Sequence, residues 1–125
     1  MRPLRLGLLG TGIAARKLYW PALKKMRSTV RLVACANRTR SKAEAFARDT
    51  GTPKVVAGAR ALLALPEVEA VLISLPIQVQ PRHVLQALAA GKAVLSEKPL
   101  APSLAEGRRL LERARAYEAR GPAWM

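Results

Sequence analysis

The sequence predicts an α/β fold built on a doubly wound parallel sheet with helices on both faces. Three observations carry that expectation. Short apolar runs recur at 4–9, 30–36, 54–57, 69–75 and 93–96 with helical stretches between them, the alternation that βαβ crossovers require. The runs at 4–9 and 69–75 are near-continuously apolar rather than alternating, as strands covered on both faces are. The first run leads into Gly10-Thr11-Gly12-Ile13-Ala14-Ala15, which reads as a strand, a glycine turn and a helix start. There the first glycine permits a tight turn, the second lets backbone approach a pyrophosphate, and the small Ala15 lets the helix pack closely on its strand. Phosphates would sit on the unpaired N–H groups of the helix N-terminus.

Each element follows in order. Residues 13–28 are helical in composition but contain Pro21, so a first short helix to about Tyr19 and a second starting near Pro21 are expected. The second strand, 30–36, ends at Asn37. Ser41-Lys42-Ala43-Glu44 reads as a capping box, with Ala43, Phe46 and Ala47 on one apolar face and Gly51 closing the helix. A short strand at 54–57 precedes a short helix at 59–65 that Pro66 ends, and Pro76 stops the fourth strand. The next helix spans about 81–90 with Val84, Leu85 and Leu88 inward, and ends at Gly91 before the fifth strand. Ser103-Leu104-Ala105-Glu106 is a second capping box. It opens a helix with Leu104, Leu110, Leu111 and Ala114 inward and Arg-rich last turns, as the helix dipole favours. The apolar residues 121–125 read as the start of a sixth strand.

Length and composition set the bounds. At 125 residues the working count is one domain, 1–125. Only five residues are aromatic while Ala and Leu dominate, which suits helix-rich layers. There is no 18-residue apolar run, so no membrane span is expected. The opening stretch is too short and glycine-broken for a secretory signal. A single Cys35 excludes an internal disulfide and fits a reducing compartment, so a cytoplasmic protein is expected. Twenty-two Lys and Arg, fifteen of them Arg, face eight acids for a net charge of +14. That excess attracts polyanions. It is spread along the chain without interleaved aromatics, however, and reads mainly as solvated helix surface. A basic nucleic-acid-binding domain is therefore the third reading.

The end of the second strand bears on the choice of dinucleotide. An acidic residue there normally binds the ribose hydroxyls of NAD and disfavours a 2′-phosphate. This chain has Asn37, followed by Arg38-Thr39-Arg40-Ser41-Lys42, which offers a guanidinium and further positive charge. NADP is favoured, with NAD left open.

By the fifth strand the chain resembles the glucose-fructose oxidoreductase / inositol dehydrogenase (Gfo/Idh/MocA) family of nicotinamide-dependent oxidoreductases. Beyond the glycine turn, Leu62-Leu63-Ala64-Leu65-Pro66-Glu67-Val68-Glu69-Ala70-Val71 is similar to the family's approach to its fourth strand. Its most recognisable block is matched by Ala87-Leu88-Ala89-Ala90-Gly91-Lys92-Ala93-Val94-Leu95-Ser96-Glu97-Lys98-Pro99-Leu100-Ala101. The resemblance implies a Rossmann dinucleotide-binding half, followed in the family by a substrate-binding half that supplies a catalytic His and is absent from these residues. It places Lys98 at the nicotinamide and substrate as the candidate catalytic residue, with a Lys98-Pro99 bond that is often cis and Glu97 holding the loop.

Candidate cofactor-binding residues are Gly10, Thr11, Gly12, Ile13 and Ala14 on the turn, Asn37 and Arg38 after the second strand, Leu75, Pro76 and Gln80 after the fourth, and Glu97 and Lys98 after the fifth. Two positions depart from the family. After Pro76 it usually has Asn or Thr and, three residues later, His, where this chain has Ile77 and Gln80. Gln exchanges no proton near neutral pH. His83, the single histidine, has no apparent acidic or metal partner and reads as a packing or surface residue. The expected activity of the complete enzyme is hydride transfer at a hydroxyl or carbonyl carbon of a sugar- or polyol-like substrate. This chain alone is expected to bind a dinucleotide without turnover and to leave apolar surface that favours a homo-oligomer. A non-catalytic dinucleotide-binding module or truncated product is the alternative.

Overall fold

The five apolar runs become strands β1 (Leu4–Leu9), β2 (Val30–Ala36), β3 (Lys54–Val56), β4 (Ala70–Ile73) and β5 (Ala93–Ser96) of one parallel sheet, in the order β3-β2-β1-β4-β5. This is the computed structural model of the chain, which describes residues 1–121 and 123–125. The crossovers run outward from β1 to β3 and then return to β4, so the order reverses between β1 and β4. At such a switch point the carboxyl ends of the strands open a crevice. Beyond β5, Val94 N–H donates to Ala123 O and Met125 N–H to Val94 O, each at 2.7 Å, adding a short parallel segment to the sheet edge.

Alternation along the strands sorts side chains between two cores. Leu6, Leu8, Leu32, Cys35, Ala70 and Leu72 pack beneath α1 (Trp20–Lys25) and α2 (Arg40–Thr50). Leu9, Ala34, Ala36, Val71, Ile73 and Val94 pack beneath α3 (Ala59–Leu63), α4 (Gln80–Ala89) and α5 (Leu104–Glu118). Phe46 is fully buried, and the Trp20 ring meets it edge-on at 6.5 Å. Cys35 lies inside the sheet, and burial pushes its thiol up to about 11. Among the described residues no helix is long and apolar enough to cross a membrane.

The structure departs from the pattern-based expectations at three helices. The first helix ends at Tyr19 and the second starts at Trp20 beside Pro21, as expected, but there is no break between them: Ala15–Tyr19 forms a π-helical turn that runs directly into α1, and Tyr19 and Trp20 both keep right-handed helical dihedrals. Trp20 N–H reaches Ala15 O across the widened turn. Widening the ladder just ahead of a residue with no N–H replaces the expected break. At the second helix the capping box at Ser41 does not form, because α2 begins at Arg40 with Thr39 as its cap residue. Asn37 Nδ2 donates to Thr39 O at 3.3 Å and helps turn the chain early, while Glu44 pairs with Arg40 at 2.9 Å instead of reaching a cap amide.

In α5, Leu110 and Ala114 are buried as expected, but Leu104 and Leu111 are 72% and 42% exposed. Position 111 lies about 100° round the helix from 110, outside the narrow stripe that α5 turns toward its neighbours. At the second box the serine half forms, Ser103 Oγ accepting from Glu106 N–H at 3.2 Å, while Glu106 Oε2 accepts from the Ser103 hydroxyl at 3.1 Å rather than from its backbone N–H. Smaller differences lie at element ends: α4 starts at Gln80 and α3 stops at Leu63.

Candidate functional site

The glycine turn leaves β1 at the switch point. Gly10 has φ of 98°, and a Cβ built on it would lie 2.0 Å from Ser74 O. Only glycine combines that left-handed backbone with so close an approach. Gly10 N–H donates to Ala36 O at 2.9 Å and Ser74 N–H to Leu9 O at 2.8 Å, which ties the turn to the strand ends on either side. Gly12 differs: a Cβ there would meet no atom of the described residues within 4 Å. No packing inside the protein requires that glycine, and the open space beside it lets a phosphate approach backbone. Gly12 O accepts from Arg16 N–H at 3.1 Å to begin the helix. Among the described residues the N–H groups of Gly12, Ile13 and Ala14 have no backbone acceptor, so they are donors for an anion. Thr11 Oγ1 is buried without a partner among the described residues, and a ligand oxygen would remove the cost of that unmet hydroxyl. These residues fit a dinucleotide pyrophosphate.

Asn37, at the end of β2, has both amide atoms engaged by the protein: Oδ1 accepts from Thr11 N–H and Nδ2 donates to Thr39 O, each at 3.3 Å. It therefore staples the glycine turn to the loop after β2 and brings no negative charge. Arg38 beside it is exposed. Arg40 is paired with Glu44, whereas Arg38 and Lys42 form no ion pair among the described residues.

The loop Glu97-Lys98-Pro99 follows β5, and its Lys98-Pro99 bond is cis. It is held from three sides. Glu97 N–H donates to Ile73 O at 3.0 Å, anchoring it to β4. Glu97 Oε1 accepts from Lys98 N–H at 3.0 Å, and Oε2 accepts from the Tyr19 hydroxyl. From α4, Gln80 Nε2 donates to Glu97 O and, at 3.3 Å, to Pro99 O. Gln80 is buried, with Oε1 unpartnered among the described residues, so this expected cofactor contact acts through the loop backbone. The Lys98 side chain is exposed and makes no ion pair among the described residues.

The remaining candidates lie at the same edge or beside it. Leu75 packs against Gly10, and the exposed Pro76 accepts at its carbonyl from Val79 N–H and Gln80 N–H at 3.1 and 3.2 Å to start α4. His83 Nδ1 lies 2.9 Å from Gln86 Oε1 within α4, and burial holds its pKa below the ordinary value. Tyr19 was not legible as a site residue, because its partner lies 78 positions away. Burial and then the Glu97 hydrogen bond push its phenol up to about 12, so it is a neutral donor. A concavity of about 400 Å³ lined by Trp20, Leu23, Arg27 and Pro53 lies near the amino ends of the strands and collects none of these groups.

Comparison with known proteins agrees with this geometry. Residues 4–121 match the model of the oxidoreductase family with an NAD-binding Rossmann fold, GFO_IDH_MocA. An oxidoreductase from Thermotoga maritima has a TM-score of 0.92 and 36% identity, over 98% of this chain and 37% of that one. KijD10, a 3-ketoreductase from Actinomadura kijaniata solved with NADP and TDP-benzene, has a TM-score of 0.82 and 35% identity, over 92% of this chain and 35% of that one. The inositol 2-dehydrogenase of Agrobacterium fabrum is 34% identical over 110 residues, 87% of this chain and 32% of the relative. The chain thus spans about a third of the relatives it matches. With its glycine turn, sheet order and Lys98 loop all at one edge, this chain belongs to the Gfo/Idh/MocA oxidoreductase family and is an NAD(P)-binding Rossmann domain of that family.

Proposed function

We propose that the carboxyl edge of the sheet binds NADP(H) in preference to NAD(H), as the cofactor half of an oxidoreductase acting at a hydroxyl or carbonyl carbon of a sugar- or polyol-like compound. One observation carries the choice of cofactor. The residue at the ribose position, Asn37, is an amide spent on Thr11 and Thr39, and the exposed Arg38 next to it has no ion-pair partner among the described residues. No carboxylate there repels a 2′-phosphate, and a guanidinium is available to receive it. The relative solved with NADP supports the reading.

The turn amides of Gly12, Ile13 and Ala14 and the Thr11 hydroxyl hold the pyrophosphate, and Lys98 offers a positively charged donor to the substrate oxygen. When bound, the nicotinamide supplies or accepts the hydride. The substrate class is supported by the relatives, one named for inositol and one for 3-ketoreduction. Fluorescence titration of the chain should give NADPH at least about tenfold tighter binding than NADH, about 1.4 kcal/mol. Arg38→Asp should reverse the order. Equal affinities in the unmodified chain would refute the preference.

A further inference from the structure

We propose that Tyr19 is a positioning residue for the Lys98 loop, registering the pyrophosphate end of the site against the lysine end through its hydrogen bond to Glu97. This rests on the reading that a dinucleotide lies across the carboxyl edge. Tyr19 closes the π-helical turn that begins at Ala15, directly after the turn amides, while Glu97 begins the loop after β5. β1 and β5 are not neighbours, since β4 lies between them. The Tyr19–Glu97 bond is therefore a side-chain crossing from the glycine-turn helix to the lysine loop that backbone pairing between β1 and β5 does not provide.

The chemistry of the pair is unusual for plain packing. In a chain with 22 cationic side chains and eight acids, this carboxylate is given to a neutral phenol and to the amide of the next residue, Lys98. A partly buried carboxylate costs desolvation that packing alone does not offset. Holding both oxygens leaves the Lys98 ammonium uncaptured by its own neighbour, and that ammonium makes no ion pair among the described residues. Gln80 fixes the loop backbone from α4. Tyr19 fixes the side-chain geometry from the phosphate side.

Two measurements on the chain test this. Tyr19→Phe keeps the ring and removes one oxygen. It should weaken NADPH about fivefold while adenosine 2′,5′-bisphosphate, which lacks the nicotinamide half, stays within about twofold. Without cofactor, amide exchange at Lys98 should quicken by about tenfold, because the acceptor of that N–H is no longer held. Combined with Glu97→Gln, the loss on NADPH should not exceed the larger single loss. Unchanged Lys98 exchange, equal weakening of both ligands, or additive losses would each overturn the proposal. If the unmodified chain binds neither ligand, the dinucleotide reading fails, and Lys98 exchange alone then decides for or against the Tyr19 link.

Discussion

The two edges of one sheet are finished differently. At the amino edge, charges close on one another. Glu69 accepts from the two terminal guanidinium nitrogens of Arg2 at 2.8 and 2.6 Å and from Arg5 N–H at 2.9 Å, and Arg5 Nε lies 3.4 Å away as an ion pair without a hydrogen bond. Glu67 pairs with Lys54, and Lys92 Nζ donates to Leu65 O and Val68 O at 3.0 and 2.6 Å. At the carboxyl edge, Thr11 Oγ1 and Gln80 Oε1 have no partner among the described residues, and Lys98 stands exposed. Of the three buried side-chain atoms without a hydrogen bond among the described residues, these are two, and the third, Arg5 Nε at the amino edge, still has the Glu69 carboxylate beside it. Buried polar groups normally find partners, so the two at the carboxyl edge mark a surface finished by something else. The amino edge holds the strands together, and the carboxyl edge is reserved for a ligand.

The two glycines of the turn separate stability from binding most sharply. Gly10→Ala forces a Cβ against Ser74 O in a left-handed conformation and should cost about 3 kcal/mol in urea unfolding. A loss below about 1 kcal/mol would mean the turn yields and that Gly10 does not constrain it. Gly12→Ala meets no atom within 4 Å, so stability should hold within about 0.5 kcal/mol while NADPH affinity falls at least about tenfold. Equal affinity there would remove the phosphate from Gly12.

The smallest effect belongs to the amino edge. The Arg2 hydrogen bond, followed by that from the Arg5 amide, holds the Glu69 carboxyl well below the usual range. Its stabilisation is present above the ordinary glutamate pKa of about 4.3 and fades as the pH falls toward the depressed native value. Glu69→Gln should therefore lower the melting temperature at neutral pH, and the gap should narrow as the pH is taken from about 6 to about 2. A gap independent of pH would show that Glu69 acts through shape rather than charge.

What was legible in the sequence is what neighbours along the chain determine. The apolar runs at β1, β2 and β5 carried their own bounds, Gly10 announced the turn, and Ser103 with Glu106 spelled a cap that forms. Misreadings arose where a distant or competing partner decided the local outcome. The Ser41 box lost to an earlier start helped by Asn37 bonding Thr39, and Leu111 counted as inward only while the width of the stripe covered by α4 was unknown. At the site, the positions at the strand ends could be read from topology. The tasks of Asn37, Gln80 and Tyr19 could not, because each depends on a backbone group or carboxylate brought close only by the fold.

The π-helical turn over Ala15–Tyr19 also bears on how this segment can change by insertion and deletion. Such a turn is an α-helical turn that has taken in one residue. Ala15 at its start packs on the sheet with Leu6 and Leu8, while Trp20 and Leu23 after it pack around Phe46. Losing one residue from the turn would restore ordinary spacing and rotate one half against the other by about 100°. Substitutions here exchange side chains within a fixed phase. A single-codon deletion would change the phase itself, making length the property of this segment most tightly bound to its shape.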